Sequence, residues 1–141
     1  MERLIRPMEA RDLEPSLALW QNVDGIVLRV ESDNLDALTR FLARNPGTSF
    51  VADKDGALIG NILCGHDGRR GYLHHVAIAK EYRGKGWGRR LVEICLGELK
   101  KCGISRCNIF LFADNEAGEA FWKKIGYRVR FDLKVMQRVL D

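Results

Sequence analysis

Residues 74–103 read HHVAIAKEYRGKGWGRRLVEICLGELKKCG. An apolar run ends at Ile78, three glycines follow at 84, 86 and 88, and then a helical stripe begins. Leu91, Val92, Cys95, Leu99 and Cys102 fall on one face of that predicted helix, and Gly103 stops it. Glycines between a strand and a helix let the backbone take positive φ and approach a ligand closely. Their amides, with the positive end of the helix, suit an anion such as phosphate. Arg83, Lys85, Arg89 and Arg90 add four positive charges with no acid among them. The competing reading is a solvated helix face carrying a chance run of charge. Two phosphate motifs are excluded by spacing. Gly88 is followed by Arg89-Arg90, so the Ser or Thr of a P-loop is missing, and Gly84-Lys85-Gly86-Trp87-Gly88 is GxGxG rather than GxGxxG.

Upstream, three strands are predicted over Ser49–Asp53, Ala57–Cys64 and Tyr72–Ile78. Lys54-Asp55-Gly56 makes the first turn between them and His66 to Gly71 the second. Such short connections imply an antiparallel meander. A short first strand is expected over Leu4–Pro7, then a helix capped by Asp12, then a helix over Asn34–Arg44 stopped by Asn45-Pro46-Gly47. Downstream, Ile104–Phe112 reads as a strand and Asn115–Ile125 as a helix ended by Gly126. Tyr127–Arg130 and Lys134–Val139 read as a terminal hairpin. The order β-α-α-β-β-β-α-β-α-β-β is that of a mixed α+β sheet.

The 141 residues suit one domain, 1–141, with a core that needs no disulfide or metal. Apolar residues at 46% and charged residues at 30% exclude a disordered chain. No apolar stretch is long enough for a membrane span, and no secretory signal follows the N-terminal charges. Cys64, Cys95, Cys102 and Cys107 lack metal-ligand spacing, so reduced thiols of a cytoplasmic protein without a metal are expected. Residues 1–60 carry 7 basic and 10 acidic groups, whereas the remainder carries 16 and 9. A basic segment raises nucleic acid as a generic partner. Few aromatics accompany these arginines, however, and the glycine spacing has its own explanation, so no nucleic acid is expected.

Arg83, Gly86 and Gly88 spell RxxGxG, and with it the chain resembles the GNAT superfamily of acyl-CoA N-acyltransferases, whose pyrophosphate loop reads [QR]xxGx[GA]. NIFLFADNEAGEAFWKKIGYRVR (108–130) is similar to the family's fifth strand and fourth helix, with Asn115, Phe121, Trp122, Gly126 and Tyr127 at the matching places. The resemblance covers residues 72–130 and, more loosely, 1–60. It implies a three-layer α/β/α fold whose central sheet is mixed, mostly antiparallel, with a splayed parallel strand pair. It also implies acetyl-CoA as co-substrate and transfer of its acetyl group to a primary amine by direct attack in a ternary complex.

Carried over, the backbone of Val76, Ala77 and Ile78 would pair with the pantetheine arm, and the Val76 amide would donate to the developing oxyanion. Arg83, Gly84, Lys85, Gly86, Trp87 and Gly88 would hold the pyrophosphate, with Arg89 adding charge. Asn115 matches a pantetheine-contacting position, or simply caps its helix. Val76 and Ile78 also read as ordinary core. For the general base, His74 shares strand parity with Tyr72 and Val76 and is preferred over His75. Strict alternation would put only one of the two on the cleft face. The competing role for either is structural. Trp122 stands where the family often has a Tyr acid, and an indole has no accessible proton for that task. The departure motivates the alternative of an acetyl-CoA-binding sensor with little turnover. Phe110 and Phe112 read as an apolar wall or as core. Asp24, Glu31 and Asp33 read as surface acids or as attractors of a cationic amine. Terminal strands in this family often pair between subunits, so a homodimer is a further expectation.

Overall fold

The structure is a computed structural model and describes residues 2–141. Two compact units divide it after Phe110. In the first unit, β1 (Ile5–Pro7), β2 (Phe50–Lys54), β3 (Ala57–His66), β4 (Gly71–Ile78) and β5 (Cys107–Ile109) form one sheet in sequence order. The first three pairings are antiparallel and β4–β5 is parallel. Helices α1 (Leu13–Gln21) and α2 (Leu35–Arg44) precede β2, and α3 (Trp87–Lys101) crosses from β4 to β5. The mixed, mostly antiparallel sheet with its parallel pair is the expected fold class.

The turns follow from their residues. Asp55 (φ 52°) and Gly56 (φ 88°) form the two-residue connection between β2 and β3, and the Gly56 amide donates to Asp53 Oδ1 at 2.9 Å. Between β3 and β4, Asp67 Oδ1 accepts from the amides of Arg69 and Arg70, both at 2.8 Å. Asn34 caps α2 by accepting from the Ala37 amide. Asp12 does not cap α1 with its side chain. Its carboxylate instead takes two hydrogen bonds from Arg6, at 2.7 and 2.8 Å, and one from the Glu9 amide.

The sheet is packed on both faces. Met8, Leu13, Trp20, Leu38, Val51, Leu63 and Ala77 form a core cluster with α1 and α2. Ala52, Ile59 and Trp87 form another, joined by Ile78 and Tyr82. Alternation along β2 explains the division, since Val51 and Ala52 are adjacent yet enter different clusters. On the α3 face the chains approach so closely that a Cβ on Gly71 would lie 2.6 Å from Leu99 Cδ1. All four cysteines are free; Cys64 and Cys95 are buried, whereas Cys102 is exposed.

The second unit, Leu111–Asp141, contains α4 (Glu116–Lys124). Asn115 caps it, accepting from the Gly118 amide at 2.9 Å. A Cβ on Gly118 would meet the Asn115 side chain at 2.6 to 2.9 Å, so the glycine makes room for the cap. Trp122 is buried between Phe121 and Tyr127, with ring centroids at 5.1 and 5.0 Å. Two expected strands are absent here. Residues 127–141 hold no strand, and the strand expected over Ile104–Phe112 is confined to Cys107–Ile109. Alternation marks a segment able to be a strand, but a strand exists only where a neighbour accepts its backbone hydrogen bonds.

One polar contact sits deep in the larger core. Trp20 Nε1 donates to Asn61 Oδ1 at 2.8 Å, and both residues are fully buried. Asn61 Nδ2 has no partner among the described residues. Trp20→Phe therefore strands the Asn61 amide oxygen and should cost about 1–3 kcal/mol in urea unfolding, with an unchanged denaturant slope. Adding Asn61→Leu should recover part of the loss, because apolar replacement of both partners removes the stranded group.

Candidate active site

The parallel pairing of β4 with β5 covers only Gly71–Leu73 against Cys107–Ile109. β4 runs on through Ile78, paired with β3 on one side and without a strand on the other. Backbone groups of residues 74–78 on that open side are therefore available to an extended ligand. Val76, Ala77 and Ile78 all lie in this stretch. Ala77 is buried, and Val76 and Ile78 are half-buried, so their side chains belong to the packing while their backbone borders the opening.

The strand leads into the glycine segment through a turn of 3₁₀ helix, Lys80–Tyr82. Gly84 (φ 74°) and Gly86 (φ 90°) both occupy the left-handed region that an L side chain resists. Gly86 is the N-cap of α3 and brings no capping side chain. The first intrahelical bond runs from the Arg90 amide to the Gly86 carbonyl, so the amides of Trp87, Gly88 and Arg89 point out of the helix end. No acidic residue lies in that first turn. Uncapped amides, the helix dipole and the exposed side chains of Lys85 and Arg89 combine as an anion site.

Two of the expected residues do something more specific. Trp87 is buried against Ala52 and Ile59, so its indole anchors the loop to the sheet and only its amide is offered to a ligand. Arg83 donates from Nε to the Ile78 carbonyl at 2.9 Å, closing the loop back onto the end of β4. The Tyr82 ring carries Lys54 Nζ at 5.4 Å and Lys85 Nζ at 5.8 Å, a cation–π arrangement beside the loop.

The histidines differ from the alternation expected of them. The β3–β4 register shifts between Leu63, opposite His75, and Cys64, opposite Leu73, leaving His74 as the extra residue of a β-bulge. A bulge resets parity, so both rings face the α1–α2 side. His74 meets Phe41 of α2 edge-on at 5.5 Å, and His75 lies 4.7 Å from Trp20 of α1. The separation of the two onto opposite faces is thus corrected. His74 is exposed as a residue, but its ring stands between Phe41 and Tyr72. Desolvation lowers its pKa below the usual histidine value, the neighbouring His75 lowers it further, and Asp33 opposes both.

His75 is tethered instead. Its Nε2 lies 2.9 Å from Asp33 Oδ1, and Asp33 Oδ2 accepts from the Arg29 amide at 2.8 Å. The Asp33 side chain is only 7% exposed, so it is neither a surface acid nor a free attractor for a cation. Nothing local in the sequence signals this pair, whose members are 42 positions apart. The one available hint was two consecutive polar residues in an apolar strand. Phe110 and Phe112 are exposed, at 64% and 53%, and are not core. Asn115 and Trp122 lie in the second unit, where Asn115 caps α4.

An open strand that leaves its parallel partner and runs into a glycine-built helix end is the framework of an acyltransferase. A profile of the acetyltransferase (GNAT) family matches residues 15–127, and the chain belongs to that family. Acetyltransferase YE1169 of Yersinia enterocolitica is 27% identical over 136 residues, covering 96% of this chain and 95% of that protein. Among solved structures, Ard1 from Thermoplasma volcanium superposes with a TM-score of 0.77 at 17% identity, over 89% of this chain and 82% of that one. The PaiA N-acetyltransferase of Thermoplasma acidophilum, solved with coenzyme A, gives 0.75 at 22% identity over 89% of each chain.

Asp33 joins the connection between α1 and α2 to the bulge of β4. Asp33→Ala should speed amide exchange over residues 29–34, with β2 and β3 unchanged, in a peptide-resolved exchange experiment. Asp33→Asn keeps one acceptor oxygen, enough for the Arg29 amide, so its exchange should fall between that of Asp33→Ala and that of the unsubstituted protein.

Proposed function

We propose that residues 1–141 act as one acetyl-CoA-dependent N-acetyltransferase domain that acetylates a primary amine by direct attack in a ternary complex. The observation carrying this reading is the five-residue stretch of β4 that continues beyond its pairing with β5 and leads into the Gly84–Gly88 segment. The residues fit the co-substrate: an extended pantetheine needs open strand backbone, and a pyrophosphate needs amides and cations. Acetyl-CoA, when bound, supplies the activated thioester.

The chain's own residues then divide the work. Amides of Gly84 to Arg89, with Lys85 and Arg89, hold the pyrophosphate; Arg83 braces that loop against Ile78. Val76 and Ile78 present backbone to the pantetheine while Ala77 between them pairs with Asn61 of β3, and the Val76 amide donates to the oxygen that gains charge as the amine attacks. His74 accepts the proton of the substrate ammonium. Its lowered pKa keeps the imidazole neutral at pH 7 and so able to accept. His75 is bound to Asp33 and holds the acceptor side in place. The thiolate leaves with water as its proton source, since Trp122 offers no acid.

Gly86→Glu puts a side chain at a left-handed position and a carboxylate at the helix end. It should abolish acetyl-CoA binding in calorimetry with the circular dichroism of the fold retained; unchanged affinity would remove the loop assignment. For His74, kcat/KM should fall on acidification with an inflection below 6.5, because protonation removes the acceptor lone pair. His74→Gln should flatten that acid limb and lower the rate by about 10²–10⁴-fold. The same shift acts on stability. The unfolded chain binds the His74 proton more tightly, so its contribution is present above pH 6.5 and lost as pH falls through the folded value.

A further inference from the structure

The connection between α1 and α2 ends in a turn that closes on itself. The amides of Ser32 and Asp33 donate to the Arg29 carbonyl at 3.1 and 2.7 Å, Asp33 Oδ2 accepts from the Arg29 amide at 2.8 Å, and Asn34 Nδ2 donates to the Val30 carbonyl at 2.7 Å. Residues 29–32 are exposed. The Asp33 side chain is not: it is 7% exposed, because its other oxygen, Oδ1, reaches across to His75 Nε2 at 2.9 Å. Desolvating a carboxylate is unfavourable, and here each oxygen has its own donor to offset it. The turn supplies one donor and the sheet supplies the other. A carboxylate only accepts, so His75 donates from Nε2.

His75 is held from a second side as well. Its ring lies 4.7 Å from Trp20, whose Nε1 donates to Asn61 Oδ1 at 2.8 Å, and Asn61 stands opposite Ala77 in the ladder. His75 itself pairs with Leu63, directly after the bulge at His74. Its two neighbours in the chain are thus the residues that do the chemistry in the transferase reading: His74 takes the proton, and the Val76 amide meets the oxyanion. A bulge leaves its extra residue without a ladder partner, so backbone hydrogen bonds fix it poorly. A side-chain clamp on the following residue restrains the same backbone. Reacting groups need placement to about 0.5 Å, and an error of about 1 Å can cost about 10²-fold in rate.

We infer that Asp33 is a positioning residue for acetyl transfer: through His75 it fixes the β4 bulge, and with it the His74 ring and the Val76 amide. The inference rests on the transferase reading above. A carboxylate that only tied down the turn would, when removed, disturb residues 29–34 and leave His74, Val76 and kcat alone. The test takes Asp33→Ala, Asp33→Asn, His75→Phe and the double variant Asp33→Ala/His75→Phe in the full chain. It combines NMR of nitrogen-labelled protein, calorimetry with acetyl-CoA, and thiol release with spermidine, kanamycin, phenethylamine and an alanine-terminated peptide. Asp33→Ala should broaden the His74 and Val76 resonances through microsecond-to-millisecond exchange. It should also lower kcat about 10²-fold for an amine that turns over, with acetyl-CoA affinity held within about twofold. Asp33→Asn should recover part of both, and the double variant should be no slower than the slower single one, because the two residues act as a unit. Sharp His74 and Val76 resonances, an unchanged kcat, additive losses in the double variant, or a kcat loss matched by lost acetyl-CoA affinity each overturn the positioning role while leaving the transferase intact. If acetyl-CoA binds but no amine of the panel turns over, the resonances decide alone: broadened, they uphold the role, and sharp, they overturn it. Absence of both acetyl-CoA binding and thiol release overturns the transferase reading itself. In that event, broadening at His74 and Val76 in Asp33→Ala would still uphold the clamp on the bulge, and its absence would overturn it.

Discussion

Pairing between β4 and β5 stops after Leu73, and most of the site's geometry follows from that interruption. Parallel strands normally continue in register as long as both backbones remain extended, because each unpaired amide left in the interior costs free energy. Here β5 ends at Ile109 and β4 runs five residues further. Those backbone groups need another partner or water. An extended amide-bearing ligand supplies a strand-like edge, which is why the open edge of β4 suits the pantetheine proposed for it.

The bulge at His74 belongs to the same constraint. An extra residue in β4 against β3 raises local twist, and the pairing with β5 stops at the residue before it. It also places His74 and His75 side by side on the α1–α2 face, although successive residues of a regular strand would face opposite ways. Their fates then diverge through their neighbours. Asp33 holds His75, while Phe41 and Tyr72 flank His74, whose pKa is lowered by desolvation and by His75. A single backbone irregularity thus puts both rings on one face, where Asp33 binds His75 and two rings flank His74.

The parts legible in the sequence are those whose physics is local. Asp55-Gly56 demands a tight turn, Asn115 caps because its side chain reaches an amide three residues on, and Gly84 and Gly86 mark left-handed backbone. The glycine loop could be read because every group that makes it an anion site lies within a few residues. The bulge could not, since it depends on the register of β3 against β4 and not on either strand alone. The Asp33–His75 contact joins residues far apart, so spacing carries no trace of it. The strands expected over 127–130 and 134–139 show the opposite failure: the pattern suited a hairpin, but strand formation also needs a partner, which the pattern does not encode.

The uneven charge of the chain acquires a physical reading from these placements. The cations at 83–90 cluster at the α3 helix end, where uncapped amides already favour an anion. Three acids of the N-terminal half are engaged within the fold. Asp12 and Asp53 are held by Arg6, and Asp33 is held by His75. The lowered pKa of His74 fits this arrangement, because an unpaired carboxylate beside it would favour the imidazolium. Ring faces attract an ammonium through their quadrupoles with far less effect on a neighbouring proton equilibrium than a full negative charge. The rings of Phe41 and Tyr72 beside His74 are therefore consistent with its lowered pKa, whereas an unpaired carboxylate there would work against it.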